Sequence, residues 1–81
     1  MNGKILPLSF VQSGRRAVIK EFTGCRNLSR RLTEMGLIPG SRLRVIRNDC
    51  GSPLIVSLGE GRLALGSGMA LKIMVEDIGE E

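Results

Sequence analysis

The sequence contains no histidine, no tryptophan and no tyrosine. The lack of His removes the commonest general acid–base and the commonest metal ligand together. Phe10 and Phe22 are the only aromatic residues, so the core must be aliphatic, and both phenylalanines are expected in it. The same scarcity leaves no platforms on which a single-strand nucleic-acid reader would stack bases. The two cysteines, Cys25 and Cys50, are too few for a disulfide scaffold and match no zinc spacing. They read as ordinary reduced residues of a cytoplasmic protein. No apolar run approaches the length of a membrane span, and Pro7 interrupts the short apolar N-terminal stretch, which argues against a signal peptide. There are no paired carboxylates in an apolar setting, no serine-nucleophile motif and no phosphate-binding glycine loop. An enzyme is therefore the least favoured class, and neither a cofactor nor a metal site is expected.

What remains is a short, basic, aliphatic chain. Its 81 residues are 42% hydrophobic, which suits one domain spanning 1–81 near the lower size limit for a self-sufficient core. Twelve Lys and Arg stand against eight Asp and Glu, for a net charge of +4. Glu76, Asp77, Glu80 and Glu81 fall in the last six residues, so a basic body carries an acidic tail over 76–81. That tail reads as a solvated end, or as a segment folded back on the basic body. Nine of the twelve cations are Arg, whose planar fork suits carboxylates and phosphates.

Residues 15–22 read as a strand, with Ala17 and Ile19 on one face and Val18 and Phe22 on the other; the pattern does not choose between the faces. Leu28, Leu32 and Met35 recur at i, i+4 and i+7, one face of a helix of about three turns. Thr23 and Asn27 are both candidate N-caps. The helix stop is better defined. Gly36 stands where a left-handed residue is expected, and Leu37 is placed to contact Leu32 as in a Schellman ending. Pro39-Gly40 then suits the centre of a type II turn from Ile38 to Ser41.

Beyond the turn the period becomes two. Residues 42–47 alternate with Leu43 and Val45 on one face and Arg42 and Arg44 on the other. Residues 48–53 form a loop by composition. Leu54, Val56 and Leu58 mark the inner face of the next strand, and Gly59-Glu60-Gly61 turns into the return strand 62–65. Ser67 is a candidate cap for one helical turn through Ala70, and residues 72–76 close as a last strand. Five short strands in so small a chain predict a mainly β fold, a closed or nearly closed SH3-like barrel, with an OB-like barrel as the alternative.

The segment from Leu28 through Glu34-Met35-Gly36-Leu37-Ile38-Pro39-Gly40 resembles the signature of the ferrous iron transport protein A family, FeoA: a helix ending in Met-Gly-Leu, then a Pro-Gly turn into a strand. Leu8, Gly14, Leu43, Val45, Ser52-Pro53-Leu54, Arg62-Leu63-Ala64-Leu65, Ala70, Ile73 and Val75 fit the rest of that pattern in order. The chain departs from it at Gly66-Ser67-Gly68-Met69, where the family often carries charge. The resemblance implies an SH3-like cytoplasmic regulator that contacts FeoB, the Fe(II) transporter with a GTPase domain.

Gly36, Pro39 and Gly40 have a structural role in the stop and the turn. The same stop is expected to present Met35, Leu37, Ile38 and Pro39 as a docking patch, with Arg30 and Arg31 beside it. Arg42, Arg44 and Arg47 on one strand keep a basic nucleic-acid-binding barrel as the alternative function, although nucleic acid is the less favoured partner.

Overall fold

The computed structural model describes residues 4–24, 26–49 and 51–80, the Glu80 side chain excepted. The readings on Cys25, Cys50 and Glu81 lie outside the described residues. The chain forms β1 (Ile5–Pro7), a 3-10 turn (Leu8–Phe10), β2 (Arg15–Phe22), α1 (Arg26–Glu34), β3 (Arg42–Arg47), β4 (Leu54–Leu58), β5 (Gly61–Leu65), α2 (Ser67–Ala70) and β6 (Ile73–Glu80). The six strands make one antiparallel sheet in the order β1-β6-β2-β3-β4-β5. Bulges between Arg16 and Ala17, between Ile19 and Glu21, and between Val45 and Arg47 bend the strands. The architecture is the expected SH3-like one, with one strand more than expected. β1 and β5 are its two ends.

One aliphatic face decides the packing. Ala17 and Ile19 of β2, Leu43 and Val45 of β3, Leu54 and Val56 of β4, and Ile73 and Val75 of β6 are all buried. Because strand side chains alternate between faces, this places Val18 outside and settles the orientation of β2. Leu32 from α1 and Ala70 from α2 join the same core, and no polar side chain is buried among the described residues.

Three expectations are corrected. Phe22 packs against the core, but Phe10 is 65% exposed. The 3-10 turn puts residues three apart on one side, so Leu8 and Val11, both 0% exposed, take the inner places. Second, the acidic tail is not a solvated end through residue 80. β6 continues to Glu80 between β1 and β2, pairing Glu76 with Val18, Asp77 with Ala17 and Gly79 with Arg16. Arg15 Nε donates to Asp77 Oδ2 at 2.8 Å, and the Gly79 amide donates to Asp77 Oδ1 at 2.8 Å. Third, neither proposed N-cap serves α1. Asn27 is inside the helix, and the Thr23 hydroxyl donates to the Lys72 carbonyl at 3.3 Å. Similarly, Gly66 rather than Ser67 occupies the cap position of α2, with no side-chain bond.

The 48–53 loop holds a contact that composition did not announce. The Asn48 side-chain amide donates to the Ser9 carbonyl at 3.0 Å and the Val11 carbonyl at 2.6 Å. It thereby ties the end of β3 to the turn around Phe10.

Candidate functional site

The end of α1 is built by local hydrogen bonds. The Leu37 amide donates to the Leu32 carbonyl at 2.9 Å and the Gly36 amide to the Thr33 carbonyl at 3.0 Å. These are the two bonds of a Schellman ending. Gly36 has φ +94°, and a Cβ there would stand 3.2 Å from Leu58 Cδ2. Glycine is thus required by the backbone conformation, and a Cβ would also press on the Leu58 side chain. The type II turn follows. The Ser41 amide donates to the Ile38 carbonyl at 3.0 Å, with Gly40 at φ +93°. This turn is fastened to β2, because the Gly40 amide donates to the Ile19 carbonyl at 2.7 Å and the Ile19 amide to Ser41 at 2.9 Å.

On this frame the candidate side chains separate. Ile38 is 44% exposed, and Pro39 is exposed next to it. Met35 is half-buried against the core. Arg30 and Arg31 are exposed and form no ion pair with a described residue. Leu37 does not belong with them. It is 0% exposed, because the Schellman geometry that ends the helix also turns its side chain onto Leu32 and into the core. The expected patch loses its middle residue and keeps its two flanks.

A second apolar feature lies at the other end of α1. Leu28, Gly68, Met69 and Lys72 line an open groove of about 430 Å³. Lys72 is tied to the end of β2, its carbonyl accepting from the Thr23 amide at 2.7 Å. Gly24, at φ +114°, lies against the Lys72 and Leu28 side chains. Leu28 and Met35 are seven residues apart, roughly 10 Å along the helix, and Arg31 lies between them on that flank. The structure therefore brings Leu28, Arg31 and Met35 onto one edge, with Ile38 and Pro39 at its end. Met69 and Lys72 were missed by sequence reasoning. The available signal was Met69, an apolar residue in an otherwise small and polar turn.

This surface offers apolar contact flanked by guanidinium groups, which is suited to binding a protein. Among the described residues no three of His, Cys, Asp and Glu gather as a metal-binding group, and no helix is long and apolar enough to cross a membrane.

The sequence model of the FeoA domain matches residues 6–77. The chain belongs to the FeoA family. A protein of Methanocaldococcus jannaschii provisionally named Fe(2+) transport protein A is 42% identical over 71 residues, covering 88% of this chain and 85% of that protein. A crystal structure described as the iron uptake regulatory protein FeoA superposes with a TM-score of 0.84 at 32% identity, over 93% of this chain and 99% of the other. A manganese-dependent transcriptional repressor superposes with a TM-score of 0.83 at 20% identity. The match covers 94% of this chain and 43% of the repressor, and speaks to the fold alone.

Proposed function

We propose that this FeoA-family chain is a small cytoplasmic accessory of ferrous iron uptake that regulates the Fe(II) transporter FeoB by protein contact and carries out no reaction of its own. The observation that carries this reading is the family match across residues 6–77. The geometry supports it by supplying a surface fit for the purpose. Ile38 and Pro39 are exposed on a turn that hydrogen bonds hold at both ends, so little conformational entropy is lost when they dock. The groove at Leu28 and Met69 extends the apolar contact, and Arg30 and Arg31 add a charged rim.

The test is an NMR titration of the labelled chain with the soluble GTPase domain of its cognate transporter, and then with the full transporter in detergent. Saturable shifts concentrated at Met35–Gly40 and at Leu28 and Met69 are expected. Ile38→Asp should weaken binding at least about tenfold while preserving the native amide spectrum. Absence of a response to both transporter preparations would overturn the proposal.

A further inference from the structure

The sheet ends differently on its two sides. β1 has three residues and closes on Pro7, which has no amide to offer and suits an edge. β5 has five residues and no proline, and it pairs with β4 along its whole length without a register shift. A regular edge strand of this kind presents an unpaired row of backbone donors and acceptors.

The hairpin turn decides which groups these are. Gly59, at φ +63°, and Glu60 join Leu58 to its partner Gly61. This is a two-residue loop with glycine first, as a type II′ turn requires. The pair that flanks such a turn is hydrogen-bonded, and bonded and unbonded pairs alternate from there. Leu63 and Leu65 therefore direct their amides and carbonyls towards β4, while Arg62 and Ala64 direct theirs away from it. Both are exposed, and among the described residues no backbone hydrogen bond from outside the ladder reaches them. Their side chains lie on the outer face. Leu65 is buried, and Leu63, half-buried, packs against the core.

We propose that β5 receives an extended segment of another protein as a seventh, antiparallel strand, in which acidic and aliphatic residues alternate. Main-chain bonds at Arg62 and Ala64 hold the segment, and its alternate side chains select it. Charge chooses the occupant. Arg62 is the one charged residue of β5 and forms no ion pair with a described residue. An acid directly opposite lies about 4.5–5.5 Å away between Cβ atoms, and the guanidinium fork can donate two parallel bonds to its carboxylate. The residues flanking that acid fall on the inner face, where the exposed part of Leu63 favours a β-branched aliphatic neighbour. A second copy of this chain fits less well. Full overlap of two β5 strands sets Arg62 opposite Ala64 and diagonal to the other copy's Arg62, about 7–8 Å away, so like charges share one face. The proposal is independent of the transporter, and its test contains none.

The labelled full-length chain is titrated at about 0.15 M salt with a blocked six-residue peptide of alternating Val and Glu. Saturable shifts along residues 61–65 are expected, and exchange of the Arg62 and Ala64 amides with water should slow at least about tenfold. The same peptide N-methylated at its Glu amides should bind at least about tenfold more weakly, because it loses the donors that face β5. Arg62→Glu should weaken binding of the Glu peptide at least about tenfold and favour a Lys-for-Glu version, whereas Lys4→Glu, with the same change in net charge, should have less than about a threefold effect. Ala64→Pro removes an amide that the β4 ladder does not use and should abolish binding. If that variant loses its native spectrum, the N-methylated peptide tests the same bond from the other side. No peptide binding, binding without slowed exchange at Arg62 and Ala64, equal affinity of the N-methylated peptide, equal losses for Arg62→Glu and Lys4→Glu, or a dimer through β5 without peptide would each overturn the proposal.

Discussion

The two halves of the sheet treat charge differently. Along the β2–β6 ladder two cations meet acids: Arg15 lies 2.8 Å from Asp77, and Lys20 lies 3.1 Å from Glu76. The strands β3, β4 and β5 hold no acid themselves, and Arg47, at the end of β3, pairs with Asp49 in the following loop. In the first half, charge helps to hold a strand in place. In the second it is kept at the surface. The net charge of +4 hides this segregation.

The comparison can be broken first at the core, which both halves share. Ile19→Ala on β2 and Leu54→Ala on β4 should each cost about 2–4 kcal/mol in urea denaturation. Ile19 and Leu54 are 0% and 3% exposed. A large cost on one side alone would mean that the halves differ in packing as well as in charge. The next largest effect separates them. Asp77→Asn should cost about 1–2 kcal/mol, because the carboxylate accepts from both Arg15 and Gly79.

Acid sharpens the same contrast. Burial by itself would raise the Asp77 carboxyl. The hydrogen bonds from Arg15 and from the Gly79 amide, with the attraction of the guanidinium, nevertheless hold it below the ordinary carboxylate value. Its contribution is therefore complete above the unfolded-state value of about 3.9 and is lost as pH falls through the lower folded value. Denaturation midpoints measured across that range should fall more steeply for the parent chain than for Asp77→Asn. An Arg62→Ala variant should retain the parent's acid dependence.

The smallest effects lie at the surface. Arg62→Ala and Lys20→Met should each change stability by no more than about 0.5 kcal/mol. Lys20 and Glu76 side chains are 44% and 24% exposed, and Arg62 has no described ion partner to lose. A cost above 1 kcal/mol for Arg62→Ala would show that the β3–β5 cations serve the fold.

How much could be read in advance depended on distance along the chain. The Schellman ending at Gly36 and the turn at Pro39-Gly40 were legible because each closes its bonds within six residues. The hairpin at Gly59 was legible for the same reason, and Leu58 pairs with Gly61 across it. Ile38 and Pro39 were legible as surface residues because the turn exposes them. The burial of Leu37 was harder to read as a consequence. The signal that predicted its contact with Leu32 also implied that it could not remain outside. At the groove Met69 offered only its apolar character and Lys72 nothing, since their neighbour Leu28 lies some forty residues earlier.

The amino-acid order alone determined that this is an aliphatic, mainly β domain of FeoA type. It also determined where the helix must stop, because glycine, proline and apolar spacing act through bonds between near neighbours. Tertiary structure decided which face of β2 is inner, since both faces offered apolar residues and only contact with the core could choose. It placed Phe10 outside, because Leu8 and Val11 already occupied the inner side of the turn. It paired Ile5 with Glu76 and made a strand of an acidic tail, since partners so distant in sequence meet only after the sheet has closed around its core. It also aligned Arg16, Arg44 and Arg62, because three arginines on three strands become one row only through register.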